Sequence, residues 1–390
     1  MRMIPDIRRL LAPLAVALAV QFPSIAMAQV IIAGNDNKAL VVDGQLQIDP
    51  LGVQSVSVID VGQEGPTLRA TVEVPNSIFG PPTNLAVTAD NRLALVAEAV
   101  MIDPAASPPK FVPSDKLHVI DLEADPPRVI DTVTVGRQPS GMAISPNGNM
   151  AIIANRAETS VSVLSIAGKE VRFEGKVETG DQVTHVAFTP DGKRAMINKA
   201  STDQVSFLSI DGSEVTLVGP DLAVGDYPYN GEITPDGRLA IVTNTGNNGR
   251  SDGNIDSITV VDLQHDPPRV VDHLAAGDAP EGIAISPDGR LAVTGNLCGS
   301  DAPPDAWFLR SPGCIQVFEI GDSGVRHVAE LLAGGVPEAL AFSPDGRWLL
   351  VANLLDADVS VFEVQDGRIV DTARRLALPG HPGSMRATTP

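Results

Sequence analysis

Short apolar runs, separated by turns rich in glycine and proline, follow one another along nearly the whole chain beyond residue 29. In the stretch that begins at Gly136, Met142-Ala143-Ile144 is one run and Ala151-Ile152-Ile153-Ala154 a second. Val161-Ser162-Val163-Leu164 is a third, and residues 171–177 form a fourth. Ser145-Pro146-Asn147-Gly148 divides the first two. Proline presets φ near about −65° in such a turn, and glycine accepts the positive φ at its end. Short runs rich in β-branched residues, bounded by turn residues, predict antiparallel strands. No amphipathic helix is evident in the pattern.

The phrase repeats. Gly-x-x-Pro followed by Ser/Thr-Pro-Asp/Asn-Gly recurs, with small variations, at 136–148, 180–192, 225–237, 277–289 and 334–346, with a weaker copy near Gly80. A period of about 50 residues built from four short strands is the signature of a propeller blade. Six blades, lettered B to G, therefore start near 80, 136, 180, 225, 277 and 334. The segment from Gly380 supplies one further strand, and residues 30–75 supply the other three of blade A. The expected fold is all-β: a seven-bladed β-propeller of four-stranded antiparallel blades, closed by N- and C-terminal segments that share one blade. Closure leaves no exposed sheet edge.

These residues resemble the YVTN-type seven-bladed propeller repeat. Residues 277–289 follow its opening phrase, Leu350-Val351-Ala352-Asn353 and Ile241-Val242-Thr243-Asn244 its strand end, and Val359-Ser360-Val361 its third strand. The resemblance covers the chain beyond the leader and implies the fold. It is similar also to seven-bladed lactonases and to the heavy subunit of amine dehydrogenases. No catalytic motif of those relatives is matched, so no residue role is carried over.

Composition changes the picture in three places. Arg2, Arg8 and Arg9 precede an apolar run at 10–20, and Ala26-Met27-Ala28 has the form of a cleavage site. Residues 1–28 are therefore expected to be a signal peptide, leaving 29–390 as a single propeller domain that is periplasmic or secreted. The formal net charge of −20 disfavours nucleic acid and anionic lipid as partners. No membrane association is expected after cleavage, and the expected state is a monomer. The two cysteines, Cys298 and Cys314, are expected to pair in an exported protein.

Strand direction puts the Pro-Asp-Gly turns on one face, the bottom. The second-to-third loops and the inter-blade links lie on the other, the top. Insertions fall in the top loops 35–54, 98–116, 245–256 and 297–313. Loops on a rigid frame are where function is added. The residues just past each link enter the inner strand at the channel mouth: Asn84, His185, Tyr229, Asn230, Glu281 and Glu338, with His381 and Arg386 from the last strand. His185, Glu281, Glu338 and Arg386 form the candidate catalytic set for acid–base chemistry and anion holding. Asn84, Arg137, Tyr227, Tyr229, Asn230, Trp307 and His381 are the candidate ligand-binding residues. Asp252-Gly253-Asn254-Ile255-Asp256 has the spacing that opens a calcium loop, but Leu263 stands where the bidentate glutamate belongs. No metal site and no cofactor is therefore expected.

Two functions fit. One is an exported binding or scaffold propeller that holds a small polar ligand or a periplasmic partner protein on its top face. The alternative is a lactonase-like hydrolase, or a lyase or isomerase, with its acid–base site in the channel mouth. An accessory subunit of a periplasmic redox enzyme rests on family analogy alone.

Overall fold

The computed structural model describes residues 29–103 and 105–388. The signal segment expected at 1–28 lies outside the described residues. Seven four-stranded antiparallel sheets make up the described chain. The one helical element among the described residues is a 3-10 turn at Ala200–Thr202.

Blade A is assembled from both ends of the chain. Its strands, from the channel outward, are His381–Ala387, Gln29–Asp36, Ser55–Gly62 and Gly65–Glu73. Ile32 stands opposite Arg386 and Ala33 opposite Met385, so the last strand closes the ring by pairing with the first. The inner strands of the other blades are Leu85–Val87, Pro139–Ile144, Val183–Phe188, Pro228–Ile233, Pro280–Ile285 and Pro337–Phe342.

The core is a ring of seven separate apolar clusters, one at each interface between neighbouring blades. The second strand of blade C shows how the sequence produces this. Ala151 and Ile153 pack toward blade B, whereas Met150, Ile152 and Ala154 pack toward blade D. Side chains alternate between the faces of a strand, and both faces are buried here. An uninterrupted apolar run is the consequence.

The bottom turns are held by one repeated contact. The hydroxyl of Ser145 donates to Asn147 at 2.7 Å and accepts the amide of Met150 at 3.1 Å. Thr189 with Asp191, Thr234 with Asp236, and Ser286 with Asp288 repeat it at 2.5 to 2.6 Å. At the top, the asparagine ending the second strand ties the link to its own blade. Asn353 Oδ1 accepts from Gly334 N at 2.8 Å, and its Nδ2 donates to Ser360.

The inserted top loops are ordered. In blade B the insertion extends the strands themselves, Leu93–Ile102 and Phe111–Asp121. In blade A it forms the hairpin Ala39–Val42 and Gln45–Ile48, whose tip at Gly44 lies against Ala302 and Pro303 of blade F's loop. The blade F loop is closed by the Cys298–Cys314 disulfide, with Cα atoms 6.0 Å apart. It also packs on blade E's loop, where Gly253 meets Trp307 and Phe308. A connected wall of loops thus covers the E, F and A side of the top face. Blades C, D and G stay low.

Candidate active site

The inner strands carry the site because their pairing slips at the mouth. In blades D to G the register shifts just after the first residue, leaving Thr184, Tyr229, Glu281 and Glu338 outside the ladder. Blade C slips in the same place, at Ser140 and Gly141. A bulge re-aims the side chain it frees. Shared repeat position puts the freed residues at similar depth around the channel.

Two of them are tied to the frame. Ser140 donates to the Phe79 carbonyl at 3.3 Å, and Thr184 to the Pro228 carbonyl at 3.1 Å. Tyr229, Glu281 and Glu338 have no side-chain hydrogen bond among the described residues. Burial pushes the Glu281 carboxyl up to about 8, helped by the Asp301 carboxylate and opposed by Arg156. Glu338 is raised well above the usual carboxylate range by burial and then by Glu281, Asp301 and Asp36. Burial also raises the Tyr229 phenol, with Arg156 opposing. The blade E loop reaches over this group: a Cβ on Gly249, whose φ is +77°, would stand 3.1 Å from Glu281 Oε1.

Arg156 acts on Glu281 across the mouth. It follows the strand-end Asn155 of blade C and sits over the Tyr229 ring, 5.8 Å from its centroid. Its Nη2 donates to Tyr227 Oη at 3.4 Å, and its buried Nε has no partner. Tyr227 and Tyr229 stack at 5.8 Å. No carboxylate pairs with this guanidinium among the described residues, which leaves its charge directed at the mouth.

The remaining candidates divide by depth. His185 is fully buried, and its Nδ1 lies 2.9 Å from Thr83 Oγ1, so it reaches from blade D to blade B. Glycine at 141 makes room, since a Cβ there would lie 3.1 Å from Nδ1. Burial, then the Arg386 charge, hold this imidazole well below its usual range and therefore neutral. Arg386 does not join the carboxyls at the mouth. It pairs with Glu232, from blade A to blade E, roughly 16 Å down the strand from His381 at about 3.3 Å per residue. These two cross-links narrow the channel beneath the mouth.

Asn230 and Asn84 are buried against the frame, with Asn230 Nδ2 and Asn84 Oδ1 unpartnered. His381 Nδ1 contacts the Leu354 carbonyl at 2.7 Å. Arg137 is exposed at the rim. Trp307 is 81% exposed on the outer wall, edge-on to Phe308, and is not part of the tyrosine pair. In the 252–256 loop, the amides of Asp252 and Gly253 donate to Asp278 at 3.2 Å. Among the described residues no three His, Cys, Asp or Glu converge at metal distance.

A groove of about 1010 Å³ lies on the bottom face, bordered by Asn147, Asp191, Lys193, Asp221 and Asp266. Two of its carboxylates are engaged: Asp221 accepts from Lys199 and Ser206, and Asp191 from Thr189.

Sequence reasoning missed Arg156 and Asp301. The signal for Arg156 was positional. It occupies the place after the strand-end asparagine that holds Asp36, Thr245, Leu297 and Leu354 in other copies. Asp301 lies in a non-repeating loop and carried no signal.

Residues 117–227 match a family model described as lactonase, 7-bladed beta-propeller. That stretch includes Arg156, His185 and Tyr227 but neither Glu281 nor Glu338. No curated protein matches the chain. A putative 6-phosphogluconolactonase from Bacteroides uniformis is similar with a TM-score of 0.69 and 17% identity, over 92% of this chain and 99% of that one. A second, from Bacteroides fragilis, gives 0.67 and 17%, over 94% and 99%. The periplasmic gluconolactonase of Pseudomonas aeruginosa gives 0.64 and 18%, over 93% and 99%. At these identities the likeness is one of fold.

Proposed function

We propose that this protein hydrolyses a lactone at the channel mouth, with Glu281, Glu338 and Arg156 as the working groups. The observation that carries the reading is the pair of carboxyls without side-chain hydrogen bonds at the mouth, with a guanidinium free of ion pairs acting on Glu281. Burying such groups without partners costs stability, which a passive scaffold has no use for. The partial match to a lactonase propeller supports the same reaction class.

In this reading Glu281, whose carboxyl is pushed up to about 8, is the base, and Glu338, which burial and Glu281 also hold toward its protonated form, is the acid. Ionised Glu281 takes a proton from water as the water oxygen adds to the lactone carbonyl carbon. Arg156 meets the negative charge that develops on the carbonyl oxygen. The bond from the acyl carbon to the ring oxygen then breaks, and the Glu338 proton goes to the departing oxygen. The product is an open-chain hydroxy acid. Proton exchange between the two carboxyls and water restores the starting state, so lactone plus water gives hydroxy acid with nothing left over. Tyr227 and Tyr229 offer a flat face to the ring. His185, neutral and held by Thr83, acts as floor rather than as base.

In this reading the chain is a member of the YVTN-type repeat group that has gained a catalytic mouth. It is exported by residues 1–28 and works as a monomeric 29–390 domain in the periplasm or outside the cell. The test is acid release from five- and six-membered sugar lactones by the purified 29–390 protein, corrected for spontaneous hydrolysis. Turnover should rise with pH toward about 8 as Glu281 ionises. Absence of turnover across the lactone set, with a folded protein, sinks the reading.

A further inference from the structure

The carboxyls of the mouth belong to a longer arc. Asp256 and Asp278 stand where the blade E loop meets the link into blade F, and Asp301 hangs from the disulfide loop. Glu281 and Glu338 follow at the bulges of blades F and G, and Asp36 at the strand end of blade A. These groups act on one another: Asp301 on Asp278, Glu281 and Glu338, and Asp36 on Glu338. None of the six forms an ion pair among the described residues, although ion pairs are frequent elsewhere on the surface. Amide and side-chain donors hold Asp36, and backbone amides hold Asp256, Asp278 and Asp301. Arg250, exposed on the blade E loop, pairs with none of them. The cation directed at the mouth is Arg156, on the opposite side.

We infer that the site takes an uncharged, hydroxylated lactone and turns away its phosphorylated counterpart. This inference rests on the lactone-hydrolase reading. With Arg156 committed to the carbonyl oxygen, a phosphate that reaches the E, F and G side meets the carboxylates of the arc, none of them ion-paired among the described residues. Like charges placed together without a counter-ion are strongly disfavoured. The same arc favours release of product, because ring opening creates a carboxylate beside Glu281 and Glu338. Hydroxyls, by contrast, suit an arc of acceptors and the unpartnered amide of Asn230.

The experiment compares kcat/KM for glucono-1,5-lactone and for its 6-phosphate, at low and at high ionic strength. The uncharged lactone should be favoured by roughly tenfold or more at low salt. The gap should narrow at high salt, because exposed charges are screened. Asp301→Asn and Asp278→Asn should narrow it too. Asp252→Asn, half-buried on the blade E loop beside Asp278, repeats the test where those two variants fold poorly. Equal or reversed preference at low salt overturns the inference and leaves lactone hydrolysis standing. A preference unmoved by salt and by all three substitutions also overturns it, since the arc would then not be its cause. No turnover of either lactone overturns the hydrolase reading itself.

Discussion

The two sides of the top face are built from the same repeat and differ in almost everything else. On the C and D side the second-to-third loops are short, and the reactive charge is the single cation Arg156. On the E, F and G side the bulged positions carry Tyr229, Glu281 and Glu338, and long loops lean over them. The frame beneath is symmetric, with one apolar cluster per interface. Asymmetry therefore comes only from residues that the frame does not need. A blade must supply its Ser/Thr-Pro-Asp-Gly turn and its alternating apolar strands, but the bulge position is free. In blade D it is Thr184, bonded to a neighbouring carbonyl, and in blades F and G it is a glutamate whose carboxyl has no side-chain hydrogen bond among the described residues.

Removing the acidic side should have the largest effect. Glu281→Gln keeps the shape of the side chain and deletes its basicity, so kcat on the responsive lactone should fall by about 10²–10⁴-fold. Full activity in that variant would break the division of labour between the two sides. Arg156→Met removes the cation while keeping the stem on Tyr229, and should lower kcat by about 10²-fold. A change confined to KM would mean that Arg156 binds substrate without stabilising the transition state. A bottom-face change, Asp266→Ala, should leave kcat within about twofold, as a surface substitution away from the site.

The disulfide belongs to the long-loop side, so its loss tests that wall as a unit. Cys298→Ala with Cys314→Ala opens a loop of 16 residues in sequence separation, for which the chain-entropy model gives about 3 kcal/mol. Chemical denaturation of the double variant should show a loss of that order. Its Glu281-dependent pH profile should also move toward lower pH, because Asp301 is then held less closely. An unchanged profile would separate the loop from the site.

The frame was far more legible in the sequence than the site. Blade number, strand order and closure by the last strand follow from local, repeated signals, and the cysteine pairing from there being two cysteines in a chain expected to be exported. A Pro-Asp-Gly turn or an alternating strand declares itself within a few residues. The mouth positions of Tyr229, Glu281 and Glu338 were legible for the same reason, since each directly follows a link proline. Arg156 and Asp301 were not, because they reach the site through loop packing that no period records. Arg386 was legible as a channel residue, but its depth depends on counting down a strand with a register shift between Gly34 and Asn35 opposite it. His185 was legible as inward-facing. Its complete burial came from Gly141 of the next blade, which is a contact between copies rather than a property of one.

The smallest expected effect is on stability, and it sharpens the comparison because only the acidic side should show it. Glu281 titrates near about 8 when folded, against an ordinary glutamate value of 4.5 when unfolded. The folded state therefore holds this proton more tightly than the unfolded state does. That preference favours folding in full below about pH 4.5. It is lost progressively as pH rises to about 8, where the buried carboxylate is ionised without a partner. Glu281→Gln mimics the protonated form at every pH. The variant should match the parent at pH 4 and exceed it at pH 8, by roughly 2 kcal/mol once solvent relaxation in the open channel is allowed for. Thermal unfolding of both proteins at the two pH values reads this directly. Thr184→Val, at the equivalent bulge on the other side, should give a difference that does not change with pH. Equal Tm values for Glu281→Gln and parent at pH 8 would mean that the carboxyl is solvated like a surface group. The mouth would then lose its claim to be a site held away from its most stable state.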